Sequence, residues 1–408
     1  MRSMNRISRW TIGIAVAVLV VSALIVGAAF ITYALTPYPE ASTIGQGNPS
    51  FQELSDRFTA LAQQKGAVYA FEVEKVAPLP PDIDTHLLGH VIGAVLYQQK
   101  GVDGIADCTP DFRNACSHAI VIGALDEFGT GSATISMIQA ACHKAPGGPG
   151  AYTMCFHGLG HGVFAYFGYD IPKSVAFCKK LGTAAYGDQE YAQCVGGMIM
   201  ELVDGGGHDH DQWLAAQPKY FDPRDPLAPC DTALIPGDAK SFCYMYLTPH
   251  LFQAAGADIN NPDPSTFPKA FSYCDAIQSQ SLRDMCYGSF GKEFIPLAAA
   301  HDIRSVDQLS DAEYQEAIGW CMLGGRAEVD NACIGQALAS VFWGGENDPQ
   351  ASFRFCGLVA DAGVLDACYQ NLAENISSYV RDAAKQKSLC AQLPESYQSA
   401  CEEPPSLL

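Results

Sequence analysis

From Thr11 to Leu35 the chain runs for 25 residues without a charged side chain (TIGIAVAVLVVSALIVGAAFITYAL). About 20 apolar residues at 1.5 Å rise cross the hydrocarbon core of a bilayer, so this stretch predicts one transmembrane helix with length to spare for tilt. The apolar region of a cleaved signal peptide is usually shorter, about 7–15 residues. Beyond Leu35 the pattern changes. Apolar positions come in blocks of about three helical turns, and each block starts directly after a cysteine: SHAIVIGALDEF after Cys116, FHGLGHGVFAYF after Cys155, VGGMIMELVDG after Cys194, YMYLTPHLFQA after Cys243, YGSFGKEFIPL after Cys286, IGQALASVFWG after Cys333 and YQNLAENISSY after Cys368. Strand-like alternation is nearly missing. The pattern predicts an all-α fold.

The sixteen cysteines set the register of these blocks. In chain order they fall into eight close pairs: Cys108/Cys116, Cys142/Cys155, Cys178/Cys194, Cys230/Cys243, Cys274/Cys286, Cys321/Cys333, Cys356/Cys368 and Cys390/Cys401. Successive second cysteines are 39, 39, 49, 43, 47, 35 and 33 residues apart, a spacing that suits a helix-turn-helix unit with variable loops. The short-long alternation predicts pairing between neighbours, each bridge pinning the end of one helix to the start of the next. No CxxC occurs, which argues against zinc ribbons and c-type haem attachment. Eight disulfides imply an oxidising compartment.

Charge gives the orientation. Arg2, Arg6 and Arg9 precede the apolar run, and no further basic residue occurs until Arg57. The positive-inside rule places residues 1–10 in the cytoplasm, 11–35 in the cell membrane as a single-pass signal-anchor, and the remainder outside. Residues 36–50, rich in Pro, Gly, Ser and Thr, read as a tether, and 51–408 as the extracytoplasmic repeat domain. Past the anchor, 21 basic and 44 acidic residues leave a net charge of −23, which speaks against nucleic acid as a partner.

Two late segments, residues 327–342 (AEVDNACIGQALASVF) and 360–376 (ADAGVLDACYQNLAENI), resemble at pattern level the Sel1-like and TPR-type repeats, including cysteine-rich bacterial members in which a disulfide staples each αα pair. The resemblance implies a curved scaffold of about seven or eight stapled helix-turn-helix units and carries over no catalytic residue.

Against this regular background the histidines cluster. His86 to Ala94 and His157 to Ala165 share the pattern H-x-L-G-H-x-x-x-A, and His118 stands two residues after Cys116, as His157 does after Cys155. An i,i+4 spacing puts two imidazoles on one helix face, the geometry of a helical metal clamp. Stacked units bring equivalent positions together, so His86, His90, His118, His157 and His161 are expected to converge. Gly89, Gly158, Gly160 and Gly162 permit close helix approach or leave room for a ligand. Imidazole suits Zn, Cu and Fe, and five rings leave open a five-coordinate ion, two ions or a bis-His haem. The competing account is a duplicated packing motif. Asp126, Glu127 and Glu201 are the nearest candidates by register to support the ligands. The glycine-rich stretch with His208, Asp209 and His210 offers a possible secondary site or simply a solvated loop.

No nucleophile elbow, P-loop, Rossmann fingerprint or HExxH motif occurs, so no catalytic residue is assigned and catalysis stays open. Two functions compete. The first is a membrane-anchored metal-binding (or haem-binding) protein, with a metal-dependent enzyme as its extension. The second is a non-catalytic scaffold for a protein or polysaccharide partner. Special residues crowded into the first three units favour the first.

Overall fold

The computed structural model describes residues 37–81, 83–205, 210–258, 263–344, 349–380 and 382–402. The anchor at 11–35 therefore lies outside the described residues, as do His208 and Asp209. No helix among the described residues is long and apolar enough to cross a membrane.

Those residues are mostly helical, with short 3-10 turns, a non-helical stretch at 221–236 and no strand among them. All eight neighbour disulfides are formed, with Cα–Cα separations of 5.4–5.9 Å. In five of them the first cysteine ends an α-helix or follows it directly, Cys356 is the penultimate residue of its helix, Cys108 follows the 3-10 helix Gly101–Asp107, and Cys230 stands in a turn. Each bridge closes a loop of 8–16 residues, worth about 2–3 kcal/mol on the chain-entropy model.

The helices that carry the second cysteines form a row of successive neighbours, headed by one helix without a bridge. We number them α1 (Thr85–Lys100), α2 (Asp111–Phe128), α3 (Gly148–Tyr166), α4 (Gln189–Asp204), α5 (Lys240–Tyr246), α6 (Gln280–Ala298), α7 (Ala327–Gly344), α8 (Ala362–Tyr379) and α9 (Glu395–Glu402). From α1 to α8 each packs on the next, and α9 packs on α8. The first helix of each stapled pair flanks the row, as Ser132–Cys142 does between α2 and α3. Side-chain caps start several helices: Asp84 accepts from the Leu87 amide ahead of α1, and Asp361 accepts from Gly363 and Val364 ahead of α8.

The row is not open-ended. It bends until α7 touches α2. The Arg113 guanidinium on α2 donates to the Ser340 hydroxyl on α7 at 3.1 Å. Arg304, in the turn after α6, donates to the Glu74 and Ala77 carbonyls at 2.7 and 2.8 Å. The inner face of this bend holds the histidines.

Three expectations need correcting. The first concerns where the bridges attach. The second cysteine of a pair does not start its helix but lies one to two turns inside it, because the turn that reverses the chain must be followed by enough helix to bring the thiol back level with its partner. Cys155, the eighth residue of α3, lies deepest, and Cys401 differs in another way. It is bonded to Cys390 with the Cα atoms 5.5 Å apart, yet it is the penultimate residue of α9, which has only 8 residues. The last bridge therefore joins the ends of two short helices, Ala383–Cys390 and α9, and Cys401 opens no apolar block as the other second cysteines do.

The second correction is that residues 37–50 are no loose tether, because Ala41, Ile44 and Pro49 are buried. Tyr69 donates to Glu40 at 2.5 Å and Arg57 to the Ile44 and Gln46 carbonyls, so a segment polar in composition still folds onto the helices Phe51–Lys65 and Ala67–Val76. Third, the block after Cys243 is not one helix. It breaks at Leu247 into α5 and Thr248–Ala255, because Pro249 lacks an amide proton and crowds the preceding turn.

Candidate metal centre

The site begins with helix register. His86 and His90 lie one turn apart on α1, and their Nε2 atoms are 3.1 Å apart. His118 of α2 stands opposite, with ring centroids 5.3 Å from His86 and 5.4 Å from His90. These three residues each offer a ligand atom, all within 4.8 Å of one another. For a tetrahedral ion bound at ~2.0–2.1 Å, ligand nitrogens sit ~3.3 Å apart and imidazole centroids ~5 Å apart. The His86–His90 centroid distance of 4.6 Å and the two longer ones bracket that figure.

A local distortion orients His86. Phe112, Arg113 and Asn114 all have positive φ, at 52°, 55° and 67°, a left-handed turn costing roughly 1–2 kcal/mol per non-glycine residue. It aims the Phe112 carbonyl at His86, whose Nδ1 donates to it at 2.6 Å. The Nε2 of the neutral ring then carries the lone pair and faces His90. Metal-binding histidines are typically held in this way, one nitrogen on a carbonyl or carboxylate and the other on the ion.

His157 and His161 of α3 continue the cluster. His118 is 5.5 Å from His157 and 6.1 Å from His161 between centroids, and the latter two are 5.1 Å apart. The His161 Nδ1 meets the Glu201 carboxylate of α4 at 3.1 Å. The Gln193 backbone near the His157 ring opposes the lowering of its pKa by burial. The His157 Nδ1 has no partner among the described residues, and the same holds for His161 Nε2 and for both nitrogens of His118.

Burial fixes the charge state. His118 is 0 % exposed and His157 2 %. Burial first, then the neighbouring imidazoles, hold both far below the usual histidine range. Burial also lowers His86 to about 4, against the opposing pull of Asp84 and the Phe112 carbonyl. Burial thus favours the neutral form of His86, His118 and His157, the form that binds metals.

Close packing gives the rings their positions. A Cβ on Gly158 would lie 2.4 Å from Cα, Cβ and Cγ of His118, and one on Gly160 would lie 2.1 Å from the Cys194 carbonyl oxygen. With α2 and α3 in such contact there is no slot for a porphyrin between them, and an ion suits the space better than haem.

Glu201 is 3 % exposed and adjoins the cluster. Asp126 and Glu127 do not: both are exposed, and Glu127 accepts the Tyr97 hydroxyl at 2.6 Å. Eight residues along a helix from His118 is about 12 Å, so the register that joins them to α2 also carries them away from the rings. His210 opens the helix His210–Tyr220, and the rest of the proposed secondary site lies outside the described residues.

Several neighbours had no sequence signal. Tyr246 of α5 packs on His157, with centroids 4.7 Å apart. Lys292 of α6 lies over the Tyr246 ring, 4.8 Å from its centroid, and pairs with Glu293. Burial raises the Glu293 carboxyl, but Lys292, Arg113 and His301 outweigh it and the net shift is downward. Of these only Glu293 occupies a countable position, seven after its cysteine. The others come into reach through the bend.

The fold and site together define a class: a disulfide-stapled helical array with a buried histidine cluster able to hold a metal ion. No known family, no curated protein and no solved structure matches the chain.

Proposed function

We propose that this protein binds a transition metal ion, Zn, Cu or Fe, through His86, His90 and His118, in an extracytoplasmic domain anchored to the membrane by residues 11–35. One observation carries the reading. His118 is fully buried with both nitrogens unpartnered among the described residues, beside two further imidazoles whose ligand atoms lie within 4.8 Å. Each unmet polar atom costs about 1–3 kcal/mol, so a histidine kept only for packing would be less stable there than a leucine or phenylalanine. An ion removes that cost.

Three protein ligands leave a coordination position open, the arrangement of catalytic rather than structural zinc. A metal-dependent enzyme acting as a Lewis acid on a bound substrate is the natural extension of this reading. The anchor and orientation rest on the apolar run and its flanking arginines, and the disulfides accord with an oxidising exterior.

A second reading has its own observation. A groove of about 650 Å³ along α6, α7 and α8 is lined by Gln280, Asn331, Gln336 and Asn371, an amide-rich surface suited to a glycan or extended peptide. Elemental analysis and an absorption spectrum of the purified full chain test the first reading. Loss of at least one bound ion per chain in His86→Gln/His90→Gln supports it. A chain that neither carries nor takes up Zn, Cu or Fe refutes it and leaves the scaffold role.

A further inference from the structure

The cluster contains more ligand capacity than one ion uses. His118 belongs to the first triad through one ring nitrogen, and the two nitrogens of an imidazole lie on different edges of the ring. His157 and His161 also lie beside it, at centroid distances of 5.5 and 6.1 Å and 5.1 Å from one another. This second triangle is slightly wider than the first, whose sides are 4.6, 5.3 and 5.4 Å. The first brackets the ~5 Å separation of imidazoles around one tetrahedral ion; in the second the 5.1 and 5.5 Å sides lie near it and the 6.1 Å side exceeds it, and among the described residues only the first triad has ligand atoms all within 4.8 Å of one another.

The supporting contacts repeat as well. His86 is held by the Phe112 carbonyl and His161 by the Glu201 carboxylate. In the second pair the remaining nitrogens, His157 Nδ1 and His161 Nε2, are buried without a partner among the described residues. His118 alone has no such support at either nitrogen. A histidine with two open nitrogens between two histidine pairs has the connectivity of a bridge.

We propose that the protein binds two metal ions about 6 Å apart, one held by His86 and His90 and the other by His157 and His161, with His118 bridging them as an imidazolate. This rests on the metal-binding reading of the first triad. Loading the second ion displaces the remaining ring proton of His118 to solvent, and the resulting negative charge, with the nearby Glu201 carboxylate, offsets part of the added positive charge. His161 is assigned to the second ion because its ring lies nearer to His157, at 5.1 Å, than to His90, at 6.0 Å between centroids.

The test strips the full chain of metal, loads it with Cu2+, and measures copper per chain together with the electron paramagnetic resonance intensity. The wild type should take up two ions, and exchange through the imidazolate should suppress most of the signal. His86→Gln/His90→Gln and His157→Gln/His161→Gln should each retain one ion with full intensity. His118→Gln should weaken both sites by about tenfold or more and abolish the exchange. Non-reducing peptide maps verify folding, and single His161→Gln replaces the double variant if the latter misfolds. One ion per wild-type chain, unaffected by loss of His157 and His161, overturns the bridge while sparing the first site. Two ions at full intensity overturn it also. Loss of binding in no variant, or none in the wild type, overturns the metal reading itself.

Discussion

Gly158→Ala adds one methyl group to the chain at the point where α3 meets α2. The new Cβ would sit 2.4 Å from the Cα, Cβ and Cγ of His118, against an ordinary carbon–carbon separation of ~3.5–4.0 Å. The obstructing atoms are backbone and its first side-chain carbons, which cannot rotate away, so the helices must part by about 1 Å. Overpacking of this kind costs about 1–3 kcal/mol, partly offset by up to about 1 kcal/mol of gained helix propensity. The metal-free domain should therefore lose about 1–2 kcal/mol, a few degrees of Tm for a chain of this size. Metal affinity should suffer more, since ligands tolerate only about 0.2 Å of displacement, and a loss of at least about tenfold follows. Gly319→Ala is the control: it is exposed in the helix Asp311–Cys321 and a Cβ there meets nothing within 4 Å, so it should stabilise by about 0.5–1 kcal/mol. Calorimetry under non-reducing conditions and competitive metal titration decide the matter. If the two glycines respond alike, or Gly158→Ala keeps wild-type Tm and affinity, the close-packed account of the site is wrong.

Three further outcomes are expected. With His86 lowered to about 4 in the folded chain and ~6.5 when unfolded, the unfolded state binds the extra proton between those values, so metal-free stability should fall by about 3 kcal/mol as pH drops from 6.5 to 4; denaturant midpoints that stay flat in this window, or a slope unchanged in His86→Gln, would count against it. Glu74 is 0 % exposed with neither oxygen hydrogen-bonded among the described residues, and burial, only partly opposed by Arg304, raises its carboxyl well above the usual range. The neutral acid's contribution is present below pH 4.5 and lost as pH rises toward the raised folded value, so Glu74→Gln should stabilise the chain more at pH 8 than at pH 5, and equal gains would refute this. Protease added to intact cells should remove the domain beyond Thr36 and spare a tag placed before Met1; protection of the domain would reverse the proposed topology.

The sequence reveals most where spacing and geometry coincide. Regularly spaced cysteines give the repeat, the disulfides and the all-α class, because short loops restrict which thiols can meet. They do not give the helix starts: Cys401 pairs as its spacing predicts, yet it sits at the far end of its helix. The i,i+4 histidines announce their own helix face. What stays hidden depends on the path of the backbone between elements. The left-handed turn at Phe112–Asn114 has no glycine to mark it, yet it supplies the His86 acceptor. Tyr246 and Lys292 reach the cluster only because the row bends, and no local pattern encodes its curvature. Asp126 and Glu127 mislead for a related reason: position in a repeat says which helix a residue shares with a ligand, and nothing about how far along it lies. Residues 37–50 show the limit of composition, since a few buried apolar side chains suffice to dock a polar segment.

The contact between α2 and α7 also bears on how such a chain can change over evolutionary time. An open stack grows or shrinks by whole units, because each contacts only its neighbours. Here Arg113 and Ser340, 227 positions apart in sequence, must face one another. Inserting or deleting a unit between them would rotate one away from the other and break the contact between α2 and α7. Duplication can lengthen the chain beyond α8, but the number of units from α2 to α7 is held constant by the join itself.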